Sequence, residues 1–154
     1  MYKPNYKEFK NKAKLGNLIP VYREMLADTE TPVSAFLKLN NDDNAFLLES
    51  VEGGERIGRF SFLGASPSVV LKTKGKDAVL YNGKKCKKLI FDKDQLELLS
   101  NIMKKYKPVV IEGLPPFVGG AVGYINYDTV RFFEKLPDKN PDDINLPDLI
   151  FGIT

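Results

Sequence analysis

The stretch from Ala45 to Gly64, AFLLESVEGGERIGRFSFLG, determines the expected fold of this chain. An apolar run ends at Glu49-Ser50, a glycine-rich turn follows, and a second apolar run begins directly after Arg59. Apolar runs of this length on either side of a glycine-rich turn are typical of two strands joined in a hairpin. The sequence therefore predicts a hairpin that gathers a carboxylate, a hydroxyl and two basic side chains, Arg56 and Arg59, at its mouth.

The rest of the chain predicts an α+β fold, mainly an antiparallel sheet with a few short helices. Helix starts are indicated by a capping box at Asn5 and Glu8, by Pro32 in a first turn, and by a capping residue at Asp92. An Asn-Gly pair at 82–83 predicts another hairpin, because these residues adopt the positive φ angles of a tight turn. Helices are expected at 6–14, at 32–39 and between 92 and 108, and strands at 18–25 (an edge or a bulge, because of Pro20), 45–51, 60–63, 69–73, 78–81, 117–127 and 149–153.

Length and composition fit a single domain covering residues 1–154. The net charge of +3 is too small to favour nucleic-acid binding, and no apolar run of about 18 residues predicts a membrane span. The single cysteine, Cys86, allows no internal disulfide, and the polar start lacks the apolar core of a secretory signal, so a cytoplasmic location is expected. Without histidine, the chain has no Ser-His or Cys-His nucleophile system and none of the common zinc sites.

Glu49, Ser50 and Arg59 are the candidate binding residues of the first hairpin. A carboxylate binds an ammonium group, a hydroxyl donates or accepts a hydrogen bond, and a guanidinium binds a carboxylate. The three side chains together therefore suit a zwitterionic amino acid. An ion pair between Glu49 and Arg59 that serves structure alone explains the same residues, and spacing does not separate the two interpretations.

A second motif contains Gly119, Gly120, Gly123 and Tyr124. Three glycines weaken a strand, so either another group approaches the backbone closely or the strand bends. The spacing is not that of a phosphate-binding loop. Tyr124 and Tyr127 either line a surface or fill the core.

Four lysines, Lys84, Lys85, Lys87 and Lys88, flank Cys86. A nucleic-acid site would interleave aromatic residues with these charges, and none is present. Lysines of this kind protect edge strands from unwanted pairing, so we expect a solvated edge strand here.

The segment LLESVEGGERIGRFSFLG, together with PPFVGGAVGYINYD at 115–128, resembles the amino-terminal, regulatory domain of anthranilate synthase component I. The resemblance implies that Leu48, Glu49, Ser50 and Arg59 form part of a pocket for the feedback inhibitor L-tryptophan, with Arg56 as an alternative to Arg59. It also implies that the glycine motif packs at the interface with a catalytic domain.

The resemblance further implies a parent enzyme that converts chorismate and ammonia to anthranilate and pyruvate. A glutamine amidotransferase subunit would supply the ammonia, and chorismate and Mg²⁺ would bind in a carboxy-terminal catalytic domain that this chain lacks. No catalytic residue, cofactor or metal is expected on residues 1–154. Two alternatives are the corresponding domain of aminodeoxychorismate synthase, in folate synthesis, and a stand-alone amino-acid-binding module.

Overall fold

The computed structural model describes residues 1–39, 44–50, 59–92, 94–115, 117–137 and 141–154. These residues form a two-stranded hairpin, a five-stranded antiparallel sheet and a few short helices, which confirms the expected α+β fold. The helices are α1 (Tyr6–Lys12), α2 (Pro32–Leu39) and α3 (Gln95–Met103), with a 3-10 helix at Tyr127–Phe132. The strands are β1 (Ala45–Leu48), β2 (Phe62–Ala65), β3 (Val69–Lys74), β4 (Asp77–Asn82), β5 (Lys85–Leu89), β6 (Ala121–Ile125) and β7 (Leu149–Ile153).

The five-stranded sheet has the order β5-β4-β3-β7-β6, with every neighbouring pair antiparallel. The last strand, β7, pairs between β3 and β6, so that Phe151 lies opposite Leu71 on one side and Gly123 on the other. Leu71 and Leu149 are fully buried and pack with Ile102 of α3. The core therefore lies between α3 and the central strands of the sheet, while β6 remains at one edge.

The β1–β2 hairpin forms a separate two-stranded sheet, which among the described residues shares no strand pairing with the five-stranded main sheet. Its strands β1 and β2 pair antiparallel from Ala45↔Ala65 to Leu48↔Phe62, and helix α2 packs against them. Residues 66–68 lead directly from β2 into β3, and the Ser66 N–H donates back to the Asn44 carbonyl at 3.2 Å. This short connection fixes the hairpin beside the central strand of the sheet.

Two helix starts follow the predicted local chemistry. Asn5 and Glu8 form the predicted capping box, because each side chain accepts a hydrogen bond from the backbone N–H of the other residue. Thr31 and Ser34 exchange the same kind of bonds at the start of α2, which covers the residues predicted for it.

The cap of α3 is Asp94, so the prediction of Asp92 as its capping residue is wrong. The Asp94 carboxylate accepts from the Glu97 N–H at 2.6 Å. A capping side chain must directly precede the first helical turn to reach this amide, and Asp92 lies two residues too early.

The Asn-Gly hairpin forms one residue later than predicted. Asn82 pairs with Lys85, which leaves Gly83 and Lys84 as the two-residue loop. Only Gly83, with a φ of 55°, has a positive φ angle in this turn. The glycine therefore supplies the left-handed conformation, and the asparagine ends the strand instead.

The strand predicted at 18–25 does not form. Within it, Tyr22 makes a single bridge with Lys3, and Leu18 makes one with Pro108. Pro20 has no N–H to donate to a strand ladder, which opposes regular pairing at this point. The strand predicted at 117–127 is also shorter, since β6 covers only Ala121–Ile125.

The lysine-rich strand β5 forms an edge of the five-stranded sheet, and its lysines are exposed. This confirms the prediction of a solvated edge strand. Among the described residues, no helix has the length and apolar character needed to cross a membrane.

Candidate functional site

The four residues predicted to contact tryptophan lie at one end of the β1–β2 hairpin. Leu48 is the last residue of β1 and pairs with Phe62, the first residue of β2. Glu49 and Ser50 continue outward from β1, and Arg59 leads into β2 from the same end. All four residues are exposed, with Leu48 at 49%. We call Leu48, Glu49, Ser50 and Arg59 the ledge; the alternative residue, Arg56, lies outside the described residues.

The structure gives Arg59 an aromatic neighbour. Its guanidinium carbon lies 5.4 Å from the centroid of the Phe60 ring, within the range of a cation–π contact. None of the ion pairs between described residues joins Glu49 to Arg59. A guanidinium packed on a ring still presents N–H donors in its plane. The ledge therefore offers charges of both signs that do not neutralise one another by direct contact.

Three phenylalanine rings extend from the ledge toward the main sheet. The Phe60 and Phe62 centroids are 6.0 Å apart, and Phe62 meets Phe117 edge-to-face at 5.3 Å. Phe60 is 38% exposed, whereas Phe62 and Phe117 are half-buried. We call these three residues the aromatic row. It connects the first sequence motif, at 45–64, with the second motif, at 115–128.

The glycine motif follows Phe117 directly and forms the entry to β6. Gly119 and Gly120 have φ angles of 151° and 149°, which favour glycine strongly. A Cβ atom on Gly123 would lie 1.8 Å from the Ile150 carbonyl oxygen of the paired strand. The sequence motif thus corresponds to a bent backbone at 119–120 and to a close approach between β6 and β7 at Gly123.

A cleft of about 210 Å³ lies where the hairpin meets the main sheet. Phe46 and Pro67 line it from the hairpin side, and Gly123 and Tyr124 line it from β6. Tyr124 is 42% exposed and Tyr127 is exposed, so neither ring fills the core. Pockets for small ligands typically measure roughly 300–1,000 Å³, and the polar and basic ledge residues do not line this cleft. In the part of the chain that the structure describes, the ledge residues are thus exposed and lie outside this cleft.

A larger polar cavity, of about 610 Å³, lies at the opposite end of β3 and was not predicted from the sequence. Lys74, Arg131, Asp142 and Asp148 contribute to its lining. The hydrogen-bonded ion pair between Lys74 and Asp142 lowers the pKa of the Asp142 carboxyl and raises the pKa of Lys74. The positive charge of Lys74 in this cavity is therefore offset by a neighbouring carboxylate. Among the described residues, no group of acidic, cysteine or histidine side chains is placed to hold a metal ion.

Asp148 is the residue in this region whose importance the sequence did not reveal. On its own, the sequence of residues 145–148 indicates only a turn. In the structure, the buried Asp148 carboxylate accepts hydrogen bonds from the Gly75 N–H at 2.6 Å and from the Gln95 side-chain amide at 3.3 Å. It thereby ties the β3–β4 turn and the start of α3 to the beginning of β7. The only sequence signal for this role is an acidic residue placed directly before an apolar strand.

No family model matches the chain. The chain is 38% identical over 154 residues to anthranilate synthase component 1 of Acetivibrio thermocellus, covering 100% of this chain and 31% of that protein. It is 44% identical over 139 residues to the protein of the same name from Aquifex aeolicus, covering 90% of this chain and 28% of that protein. It is 42% identical over 155 residues to anthranilate synthase component 1 of Synechocystis, covering 98% of this chain and 30% of that protein.

The chain therefore spans less than a third of the length of these relatives, and the match falls in their amino-terminal part. Alignments at 38–44% identity that extend over nearly the whole chain confirm the resemblance found in the two motifs. The chain corresponds to the amino-terminal part of anthranilate synthase component 1.

Proposed function

We propose that this chain is the regulatory part of an anthranilate synthase, and that it contributes one wall of a site for L-tryptophan. The complete enzyme would convert chorismate and ammonia to anthranilate and pyruvate, in the synthesis of tryptophan. The similarity to the amino-terminal part of anthranilate synthase component 1 supports the assignment of the enzyme. The arrangement of the ledge supports the assignment of the ligand.

The observation that carries the ligand assignment is the exposure of both charged ledge residues at one end of a hairpin, with no direct ion pair between them. The Glu49 carboxylate would bind the ammonium group of an amino acid, and the Arg59 guanidinium would bind its carboxylate. The Ser50 hydroxyl would add a hydrogen bond. Leu48 and the Phe60 and Phe62 rings would accept an indole, because large aromatic groups gain most from apolar contact.

The other wall of the site would come from the catalytic part of the same protein. The accessible surface of this chain is 12263 Å², whereas a compact monomer of 17.3 kDa exposes about 7,800 Å². Many large apolar side chains contribute to this surface, among them Leu15, Met25, Leu26 and Ile90. A total surface this much larger than that of a compact monomer, with many large apolar side chains exposed, fits a protein part that packs against another part.

Tryptophan would then inhibit by favouring one arrangement of the two parts over another. A ligand shifts such an equilibrium only by its difference in affinity between the two states. A tenfold preference corresponds to about 1.4 kcal/mol, which one ion pair and partial burial of an indole supply. Chorismate and Mg²⁺ would bind in the catalytic part, an amidotransferase subunit would deliver ammonia from glutamine, and the assembly would work in the cytoplasm.

The full-length gene product tests this proposal in an assay for anthranilate, which is followed by its fluorescence. We expect anthranilate formation from chorismate and ammonia, and inhibition by L-tryptophan. A Ser50→Phe substitution fills the ledge with a ring and is expected to raise the tryptophan concentration for half-inhibition by at least about tenfold, or about 1.4 kcal/mol.

A Ser100→Phe variant is the matched control, because Ser100 is an exposed serine on α3, away from the hairpin. Its response to tryptophan should equal that of the wild type. Formation of aminodeoxychorismate instead of anthranilate would replace the proposed enzyme with the folate-pathway alternative. Inhibition that persists unchanged in the Ser50→Phe variant would remove Ser50 from the site.

A further inference from the structure

The aromatic row provides a contact between the ledge and the main sheet that neither sequence motif indicates by itself. Phe62 lies opposite Leu48 in the hairpin, and side chains of directly opposed residues share one face of a sheet. The Phe62 side chain therefore shares a sheet face with Leu48, and its ring meets the Phe117 ring edge-to-face, with the centroids 5.3 Å apart. The position of one wall of the ledge thus depends on Phe117.

Phe117 is in turn held by the start of β6. A Cβ atom on Gly120 would lie 3.3 Å from the Phe117 ring, so the ring packs directly on the backbone of the glycine motif. Gly120 exchanges two backbone hydrogen bonds with Thr154, at 3.1 Å and 2.9 Å. The ring is therefore seated on a backbone segment that is anchored to the end of β7.

These contacts form a continuous path from the ledge to the glycine motif. The path consists of Leu48, Phe62, Phe117 and Gly120. Leu48 and Phe62 are paired across the hairpin, the Phe62 and Phe117 rings are in contact, and Phe117 packs on Gly120. Close packing of this kind transmits a displacement, because a ring that moves at one end loses contact area with its neighbour unless the neighbour also moves.

We propose that Phe117 is a positioning residue of the amino-acid site, which acts through Phe62 to hold the ledge and couples that ledge to the glycine motif. This inference rests on the proposed function of the ledge and deepens it. In this role, Phe117 acts on the ligand indirectly. Its contribution is to place Phe62, and through it Leu48, against the ligand's ring.

The test uses the full-length gene product with Phe117→Leu, Phe62→Leu and the double variant. Each single substitution is expected to raise the tryptophan concentration for half-inhibition by about three- to tenfold, the range that corresponds to loss of one aromatic pair. Because Phe117 acts through Phe62, the double variant should be little worse than Phe62→Leu alone. Multiplication of the two single effects in the double variant would overturn the proposal.

Phe91→Leu is the matched control, since Phe91 makes a similar ring contact with Phe132, at 6.2 Å, away from the hairpin. It removes an aromatic pair without touching the aromatic row, so inhibition by tryptophan should equal that of the wild type. A weakening in Phe91→Leu as large as that in Phe117→Leu would show a general effect of reduced stability and would overturn the proposal.

A second readout does not depend on tryptophan. In leucine-methyl NMR spectra without ligand, Phe117→Leu should shift the Leu48 methyl resonances, whereas Phe91→Leu should leave them in place. Unshifted Leu48 methyls in the Phe117→Leu variant would overturn the positioning role. A wild-type enzyme that ignores tryptophan would defeat the proposed function instead, and the methyl shifts would still decide whether Phe117 positions the ledge.

Discussion

Gly123→Ala is the substitution whose effect the structure defines most sharply. The added Cβ atom would lie 1.8 Å from the Ile150 carbonyl oxygen and 2.8 Å from the Phe151 Cα atom, and real Cβ atoms do not come closer than 3.0 Å. All of these neighbours belong to backbone, which cannot turn aside as a flexible side chain does. Strands β6 and β7 must therefore separate by more than about 1 Å at this point.

The expected loss of stability comes from the hydrogen bonds that this separation breaks and from the overpacking of the added methyl group. Loss of two ladder hydrogen bonds costs about 2 kcal/mol, and overpacking adds at least about 1 kcal/mol. A total loss of about 3 kcal/mol means that the β6–β7 pair opens about 100 times more often than in the wild type. Hydrogen exchange of the full-length gene product, followed by mass spectrometry, should show this acceleration in residues 149–153.

Gly83→Ala is the matched control. A Cβ atom on Gly83 would meet nothing within 4 Å, so the substitution carries only the penalty of its positive φ angle, about 1–2 kcal/mol. That penalty falls on the β4–β5 turn and should leave exchange in residues 149–153 unchanged. If Gly123→Ala left the exchange of this strand within threefold of the wild type, the close approach at Gly123 would be refuted.

Three further predictions address other parts of the chain. Asp148→Ala should lower the free energy of unfolding by about 2–3 kcal/mol, because the Gly75 N–H loses its acceptor and the Gln95 amide loses one of its two acceptors. Asp143→Ala, at an exposed position, should change it by less than about 0.5 kcal/mol, and equal melting temperatures for the two variants would contradict this role. The pKa of Asp142 is lowered by Lys74, so the ion pair stabilises the fold above the unfolded-state pKa and is lost as the pH falls through the lower folded-state value. An NMR titration should therefore give a midpoint for Asp142 below its usual value, and Lys74→Gln should raise it; a midpoint that Lys74→Gln leaves in place would count against the pair. Finally, the 154-residue chain alone should bind tryptophan weakly by calorimetry, since it offers one wall only, and a dissociation constant below about 1 μM would contradict a shared site.

The sequence predicted those parts of the fold that depend on neighbouring residues. The Asn5–Glu8 capping box and helix α2 formed as expected, because a cap needs only a side chain and an amide three residues apart. The strand predicted at 18–25 did not form, and this segment makes only isolated bridges. A segment of this kind either pairs with a neighbouring strand or remains unpaired. That choice depends on which strand edge is available, and local sequence does not contain this information.

The candidate site shows the same division. Two motifs identified the ledge and the glycine segment separately, but only the folded chain brings Phe62 and Phe117 together, 55 positions apart in the sequence. The role of Asp148 was missed for the same reason, since its partners Gly75 and Gln95 lie far from it along the chain. Contacts of this kind arise from sheet order and register rather than from motifs.

The binding of L-tryptophan at the ledge is tested by an amide NMR titration of the full-length gene product with L-tryptophan, with D-tryptophan as the control. We expect stereospecific shifts that begin at Glu49, Ser50 and Arg59, because only one enantiomer places its ammonium, carboxylate and indole on the ledge together. Equal shifts with both enantiomers, or shifts confined to the polar cavity around Lys74 and Asp148, would contradict the assignment of the ledge as the tryptophan site.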